Sequence, residues 1–192
     1  MNENKLIEII WFGRGGQGVV TASQLTAAAA LYGGYEGVSA VPSFGAERRG
    51  APVEAYLRLS KNKINIYSNI ETADYIVIFD DSLIEKVKLS SLKKGLTKLI
   101  INTSGRLKSG LFDNYDISEI YCIDASKISR ELNLTAAGNL IINTTMIGAF
   151  LKVLNSAPID NLKTVFSEKF SKNAAELNYS AAQKAYIATF KL

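Results

Sequence analysis

The sequence has no histidine and only one cysteine, Cys122, among its 192 residues. Without histidine there is no Ser-His or Cys-His nucleophile pair, no imidazole acid–base group and no histidine-ligated metal. A single thiol cannot form a disulfide within the chain, and it cannot supply the four thiolates that an iron–sulfur cluster usually takes. The chain therefore lacks most of the side chains on which enzymes build nucleophilic or redox chemistry.

Long apolar runs and dense basic clusters are absent as well. The longest apolar stretch, residues 140–154, is interrupted by polar residues and is shorter than a membrane span of about 20 residues. The N-terminus lacks the basic and apolar regions of a secretory signal, so we expect a cytoplasmic protein without a membrane partner. The net charge is +4, but the lysines are dispersed. This distribution does not favour nucleic acid, and it suits an anionic small ligand or an acidic protein partner equally well.

A chain of 192 residues with 47% hydrophobic content can bury its own core, so we expect a single domain over residues 1–192. Short apolar segments alternate with segments of helical periodicity, which predicts an α/β protein: a Rossmann-like three-layer sandwich with a mainly parallel sheet. The alternation in residues 53–60 predicts a strand exposed on one side, covered in a complex, or antiparallel at a sheet edge. The predicted strands are 6–12, 35–41, 53–60, 75–79, 98–102 and 120–123, and the predicted helices are 19–32, 139–154, 160–169 and 173–190.

A glycine-rich turn, residues 13–18, follows the first predicted strand and precedes the first predicted helix. Glycines in a G-x-G-x-x-G pattern permit a tight turn, and the helix N-terminus behind them presents free N–H groups to an anion. The alternative is that they only pack the strand against the helix, because the pattern alone is a weak signal. This glycine turn comprises Gly13, Arg14, Gly15, Gly16, Gln17 and Gly18.

Two features argue against an ordinary dinucleotide site at the glycine turn. The acidic residue that would hold the ribose is missing from the end of the second predicted strand, which reads Ser39, Ala40 and Val41 before Pro42. Arg14 lies in the turn itself, where its charge opposes the helix dipole. We therefore expect an anion or a carboxylate beside Arg14, and no complete NAD site.

Residues 42–52, here called the arginine loop, combine glycine and proline with an aromatic residue and paired arginines. Ordering such a loop costs conformational entropy unless something fixes it. In a doubly wound fold this loop opens at the same sheet edge as the glycine turn, so Arg14, Arg48 and Arg49 could bind one carboxylate or phosphate. The alternative is a solvated arginine pair with Phe44 in the core. The candidate binding residues of the loop are Ser43, Phe44, Glu47, Arg48 and Arg49.

The glycine turn and the arginine loop together resemble the gamma subunit, or gamma domain, of pyruvate and related 2-oxoacid:ferredoxin oxidoreductases. The resemblance covers nearly the whole chain and continues through residues 58–60, 143–150 and 172–178. The indolepyruvate branch is similar at the glycine turn, but its counterpart of the arginine loop usually reads differently. The pattern therefore favours the pyruvate or ketoisovalerate branch.

The resemblance implies a heteromeric enzyme that converts a 2-oxoacid and coenzyme A to acyl-CoA and carbon dioxide and reduces ferredoxin. It implies thiamine diphosphate, Mg²⁺ and [4Fe–4S] clusters on the alpha, beta and ferredoxin-like delta subunits. This sequence has no Gly-Asp-Gly diphosphate motif and no cysteine set, so we expect neither a cofactor nor a catalytic residue on it. The expected role is to brace the catalytic subunits and shape the coenzyme A approach. Whether the two loops contact coenzyme A or only partner subunits stays open.

Two other functions are compatible with the sequence. The first is a free-standing nucleotide- or phosphate-binding protein of Rossmann-like fold that uses Gly13–Gly18 together with Arg48 and Arg49. The second is a general protein-interaction module with a degenerate Rossmann core. Binding of NAD, ATP or coenzyme A to the purified chain separates the first from a subunit role.

Two further polar groups have structural explanations that we favour. Asp80 and Asp81 follow a predicted strand, and a strand-end turn that caps a helix starting at Ser82 explains them better than paired catalytic acids. Cys122 lies within an apolar strand. It is therefore expected to be a small buried hydrophobe and not a reactive thiol.

Overall fold

The computed structural model describes residues 6–42, 49–66, 68–86, 91–105, 107–108 and 110–192. Within these residues the chain forms a seven-stranded sheet, a two-stranded hairpin, five α-helices and one 3₁₀ helix over Asp81–Lys86. The strands are β1 (Ile7–Arg14), β2 (Gly37–Pro42), β3 (Pro52–Ser60), β4 (Tyr75–Ile78), β5 (Lys98–Asn102), β6 (Glu119–Ile123), β7 (Thr135–Ala136), β8 (Asn139–Leu140) and β9 (Phe190–Lys191). The α-helices are α1 (Val19–Tyr32), α2 (Ala125–Glu131), α3 (Asn143–Leu154), α4 (Asn161–Lys169) and α5 (Lys172–Ala188).

The seven-stranded sheet has the order β2-β3-β1-β4-β5-β6-β9. Strands β1, β4, β5 and β6 pair in parallel, whereas β3 is antiparallel to both of its neighbours and β9 is antiparallel to β6. Because β2 is antiparallel to β3, it runs in the same direction as β1, so only β3 and β9 oppose the common direction. The predicted α/β class with a mainly parallel sheet is confirmed.

The sheet separates two apolar clusters, so the molecule has three layers. One face packs against all five α-helices, and Trp11 and Phe150 are fully buried there. The other face includes Ile10 and Ile76, and it is covered by the 3₁₀ helix and by irregular segments. The predicted three-layer sandwich is therefore asymmetric, with its α-helices in one outer layer.

Several boundaries differ from the sequence prediction. Strand β3 is antiparallel, as one of the alternatives for residues 53–60 states, but it lies inside the sheet, and the antiparallel edge strand is β9. Residues 139–140 pair within the β7–β8 hairpin, so α3 begins at Asn143. The last helix ends at Ala188, because Phe190–Lys191 pairs with β6. Helix α2 and the hairpin were not predicted, since elements this short carry little periodic signal.

A small ion cluster attaches the edge strand β9 to the sheet. Glu119 in β6 lies 2.5 Å from Nζ of Lys98 and 2.6 Å from Nζ of Lys191, so it joins β5, β6 and β9. Hydrogen bonds from Lys191 and Lys98 lower the pKa of Glu119 to about 2. The folded state thus favours the carboxylate. Glu119 stabilises the fold above its unfolded pKa, and this contribution is lost as the pH falls toward the folded value.

We expect Glu119→Gln to lower the urea midpoint of unfolding at pH 7. The difference from the wild type should shrink as the pH falls from the ordinary value of 4.5 to about 2. The matched control is Glu36→Gln, which removes an exposed carboxylate outside this cluster. Equal midpoints for Glu119→Gln and the wild type at pH 7 would show that the cluster does not hold β9.

Candidate functional site

The glycine turn lies at the carboxyl end of β1, where the chain order of the sheet reverses. The connection through α1 takes the chain to one side of β1, and β4 pairs with β1 on the other side. Open parallel sheets bind ligands in the crevice at such a switch point. The predicted binding turn therefore lies where this class of fold places ligands.

The glycine turn is closed by its own hydrogen bonds. The N–H of Gln17 donates to the carbonyl of Arg14 at 3.0 Å, and the N–H of Arg14 donates to the side-chain oxygen of Gln17 at 2.7 Å. Gly16 and Gly18 have φ values of 95° and 77°, which a residue with a side chain adopts only with strain. Gly18 also packs against the side chain of Asn143, so a Cβ has no room there. The turn geometry alone therefore requires these two glycines.

Backbone hydrogen bonds bring the end of the arginine loop onto the glycine turn. The N–H of Gly15 donates to the carbonyl of Ala51 at 2.8 Å, and the N–H of Gly50 donates to the carbonyl of Gly15 at 3.0 Å. The guanidinium of Arg49 donates to Oδ1 of Asn139 at 2.8 Å, so the loop also reaches the β7–β8 hairpin. The glycine turn and residues 49–52 of the arginine loop thus form one surface. The predictions for the remaining loop residues lie outside the described residues; these are Ser43, Phe44, Glu47 and Arg48.

Arg14 makes an ion pair across the switch point. Its Nε lies 2.7 Å from Oδ2 of Asp80, its Nη2 donates to Oγ of Ser82 at 2.8 Å, and its Nη1 donates to the carbonyl of Gly50 at 3.2 Å. Partial burial would raise the pKa of Asp80, but hydrogen bonds from Ser82 and Arg14 outweigh burial and hold this pKa below its usual value. The carboxylate expected beside Arg14 is therefore Asp80. The guanidinium of Arg14 is already bound to groups of its own chain.

Polar side chains after β4 and β5 extend this edge. Asp81 accepts a hydrogen bond from Oγ1 of Thr103 at 2.6 Å. Asn102 donates to the carbonyl of Phe79 at 2.9 Å and accepts the N–H of Ala125 at 2.9 Å, which fixes the ends of β4 and β5 to the start of α2. These hydrogen bonds connect the polar side chains that follow β4 and β5 with one another and with the start of α2.

The sequence pattern indicates Asp80 only as a cap and does not connect it with Arg14. Asp80 does accept the N–H of Ser82 at 3.1 Å at the start of the 3₁₀ helix, which agrees with the predicted cap. The polar pair Asn102 and Thr103 was missed. A usable signal was present, because carboxyl ends of neighbouring parallel strands meet at one edge and polar residues that follow two such strands are brought together.

Helices α1 and α3 begin next to each other at this edge, where Gly18 packs against Asn143. Neither helix has an acidic residue in its first turn or a side-chain hydrogen bond from its N-cap residue, although in α3 the N–H of Thr144 donates to Oδ1 of Asn143 at 2.7 Å. The first N–H groups of a helix carry partial positive charge and have no intrahelical acceptors. With the exposed Arg49 nearby, this surface suits a carboxylate or a phosphate.

The sheet order disfavours an ordinary dinucleotide site. On the α1 side, the strand next to β1 is β3 and not β2. The end of β2, where an acidic residue would hold the ribose of a dinucleotide, is therefore one strand farther from the glycine turn. This order adds a structural reason to the missing acid at residues 39–42.

The described part of the chain offers little for covalent or metal chemistry. Cys122 is 2% exposed, and burial raises the pKa of its thiol, so it stays protonated at neutral pH. Among the described residues, no three Cys, Asp or Glu side chains are grouped so that they could hold a metal ion. In the same residues no helix combines the length and the apolar character that crossing a membrane requires.

Comparisons with known proteins give one consistent result. A family model described as pyruvate ferredoxin/flavodoxin oxidoreductase matches residues 8–188. The chain is 38% identical over 182 residues to the pyruvate synthase subunit PorC of Methanocaldococcus jannaschii. This match covers 94% of this chain and 96% of that protein. It is 36% identical over 186 residues to the pyruvate/ketoisovalerate oxidoreductases common subunit gamma of Pyrococcus abyssi. This match covers 96% of this chain and 97% of that protein.

A solved structure agrees with these relatives. The crystal structure of the pyruvate oxidoreductase subunit PORC from Thermotoga maritima matches with a TM-score of 0.81 and 28% identity, over 97% of this chain and 98% of that chain. The resemblance that the glycine turn and the arginine loop predict is therefore confirmed. Because the family model and both relatives match nearly the full length, the chain belongs to the pyruvate ferredoxin/flavodoxin oxidoreductase family.

Proposed function

We propose that this chain is the non-catalytic gamma subunit of a 2-oxoacid:ferredoxin oxidoreductase, with pyruvate as the expected substrate. The whole enzyme would convert the 2-oxoacid and coenzyme A to acyl-CoA and carbon dioxide and pass electrons to ferredoxin. Alpha, beta and delta subunits would hold thiamine diphosphate, Mg²⁺ and [4Fe–4S] clusters. The observation that carries the proposal is the nearly full-length similarity to proteins named as gamma or PorC subunits. The cytoplasmic location stays a prediction.

The chemistry of the chain supports a non-catalytic role. It contains no histidine, and its one thiol is buried and protonated. Arg14 is bound to Asp80 and Ser82, so it does not face a substrate. In the part of the chain that the structure describes, no three Cys, Asp or Glu side chains are grouped so that they could hold a metal ion, which supports the proposal that the metal-containing cofactors belong to the partner subunits. No step of the reaction is assigned to its side chains.

The surface formed by the glycine turn and the end of the arginine loop supports a bracing role. Its backbone is fixed by the hydrogen bonds between Gly15, Gly50 and Ala51, so it docks without a large ordering cost. Arg49 and the start of α1, which has no side-chain cap, favour an acidic group. That group is either a carboxylate of a partner subunit or a phosphate of coenzyme A, and we propose the subunit contact as the primary role.

A free-standing nucleotide-binding protein is the alternative function. The glycine turn supports it, whereas the Arg14–Asp80 ion pair and the place of β3 beside β1 oppose it. Calorimetric titration of the purified chain with NAD, ATP and coenzyme A separates the two functions. Binding of NAD that is much tighter than that of adenosine alone would favour the alternative, and its absence favours the subunit role.

The proposal is tested by isolating the chain with its companions from the native source. We expect it to copurify with a thiamine-diphosphate-binding chain and a cysteine-rich chain, and the complex to reduce ferredoxin with pyruvate and coenzyme A. The purified single chain should show no such activity. If the chain purifies without any companion, the subunit role is contradicted. If the single chain decarboxylates pyruvate, the non-catalytic role is contradicted.

The contact role of the arginine loop has its own test within the complex. We expect Arg48→Ala with Arg49→Ala to reduce the yield of assembled complex, or its turnover, by about fivefold or more, since buried interface arginines commonly contribute at least 1 kcal/mol. Lys169→Ala, which removes an exposed cation from α4, is the control. Unchanged assembly and turnover of the arginine variant would contradict a contact at this loop while leaving the subunit role intact.

A further inference from the structure

A small polar cavity lies between the glycine turn and the loops that follow β4 and β5. Its volume is about 220 Å³, and it is lined by Gln17, Asp81, Ser104, Ser126 and Arg130, among others. It lies outside the carboxyl ends of parallel strands at the switch point, where this class of fold binds ligands. A cavity of this size holds one small ring and is too small for a whole dinucleotide.

The lining side chains have unused hydrogen-bonding capacity. One oxygen of Asp81 accepts from Thr103, and the other has no partner within the part of the chain that the structure describes. The side-chain oxygen of Gln17 is bound to the N–H of Arg14, which leaves its amide nitrogen as a donor. The guanidinium of Arg130 makes no hydrogen bond or ion pair to any described residue, and the side chain is exposed. The lining of the cavity therefore includes an acceptor, Asp81, and two donors, Gln17 and Arg130.

The charges around the cavity define what it would hold. Arg14 offsets the negative charge of Asp80, with which it forms an ion pair. Arg130, which also lines the cavity, offsets the charge of Asp81. Among the described residues of the lining, Phe79 is the one aromatic side chain, and it is fully buried and offers no face on which a base could stack. A nearly neutral cavity without a stacking surface suits an uncharged group that both donates and accepts hydrogen bonds. Hydroxyl groups on neighbouring carbons meet this requirement.

We propose that this cavity binds the vicinal diol of a small sugar ring. Asp81 accepts the two hydroxyl hydrogens, while Arg130 and the amide of Gln17 donate to ring or hydroxyl oxygens. The acid that is missing at the end of β2 is in this way supplied from the end of β4, on the other side of β1. The diol belongs either to a free sugar or to the ribose of a nucleoside. This assignment concerns the free chain and is independent of the subunit role.

The test is a titration of the ¹⁵N-labelled full chain, followed by amide chemical shifts, with D-ribose, adenosine and 2′-deoxyadenosine. We expect saturable shifts at Ser104, Ser126 and Arg130, and binding of 2′-deoxyadenosine at least about tenfold weaker than that of adenosine, because its diol is absent. Ribose binding comparable to adenosine binding identifies a free sugar, and much tighter adenosine binding identifies a nucleoside. Equal affinities for adenosine and 2′-deoxyadenosine, or no saturable shifts with any compound, would overturn the proposal.

Variants locate the binding group. Asp81→Asn keeps the shape and an oxygen that can accept from Thr103, but it removes the charge, so adenosine should bind about fivefold more weakly or worse. Asp116→Asn is the matched control, because Asp116 is exposed and precedes β6 at the opposite edge of the sheet. Both variants should keep the wild-type Tm. Wild-type affinity in Asp81→Asn would remove the diol acceptor and with it the proposal.

Discussion

Gly148→Ala should lower the free energy of unfolding by about 2–3 kcal/mol, although alanine is the better helix former. Gly148 lies within α3 at its crossing with α5, where an added Cβ would lie 2.7 Å from Cα of Ala182 and even closer to its carbonyl oxygen. Ala182 and the residues around Gly148 are fully buried, so neither backbone can move away without disturbing the core. For a chain of this size the loss corresponds to a fall in Tm of roughly 4–12 °C.

The matched control for this prediction is Gly105→Ala. Gly105 is exposed, its φ lies outside the left-handed region, and a Cβ there would meet nothing within 4 Å. We expect its free energy of unfolding to change by no more than about 0.5 kcal/mol. Thermal unfolding of both variants followed by circular dichroism measures the difference. A Tm for Gly148→Ala equal to that of Gly105→Ala would mean that the two helices do not approach so closely.

The crossing of α3 and α5 brings two stretches of the resemblance into contact. Residues 143–150 lie in α3 and residues 172–178 lie in α5. Oγ1 of Thr144 donates to Oδ1 of Asn178 at 2.7 Å, and both residues are buried. In these stretches, Thr144 and Asn178 thus serve the contact between the two helices. The glycine turn and residues 49–52 of the arginine loop form the candidate surface.

The sequence predicts the long elements well and the sheet order poorly. Helix α1 begins and ends at the predicted residues 19 and 32, because its apolar stripe and the following glycines are local signals. The position of β3 between β2 and β1 depends on pairing between distant residues, which no local pattern encodes. Strand β9 has two residues, and its pairing depends on Glu119 and Lys191, which lie 72 positions apart.

The candidate site likewise has parts that the sequence predicts and parts that depend on the fold. The glycine turn was predicted from its pattern, and the need for a carboxylate beside Arg14 followed from the helix dipole. The identity of that carboxylate, Asp80, did not follow, because it lies 66 positions away along the chain. The charge of a lone residue predicts that a partner exists, whereas the fold decides which residue it is.

Arg58→Met should lower the free energy of unfolding by about 3 kcal/mol, because it removes a buried guanidinium and leaves its partly buried acceptors without their donor. Arg58 is 4% exposed. Its Nε donates to Glu8 at 3.1 Å, its Nη1 to the carbonyl of Ser68 at 2.7 Å, and its Nη2 to the carbonyl of Asn69 at 3.2 Å. The alternation of residues 53–60 predicts a polar face of β3 that is exposed to solvent or covered by a partner in a complex. In the structure, the segment that follows the strand covers this face at Arg58.

Urea unfolding of the isolated chain shows whether Arg58 is covered by the chain's own segment or by another subunit. Arg58→Lys keeps the charge but loses the planar fork, so its stability should lie between those of Arg58→Met and the wild type. Arg130→Met is the control for loss of an arginine, and its stability should stay close to that of the wild type because Arg130 is exposed. If Arg58→Met leaves the isolated chain unchanged, its own segment does not cover the strand. The polar face of β3 would then be a surface for another subunit, since an uncovered Arg58 needs an acceptor from outside the chain.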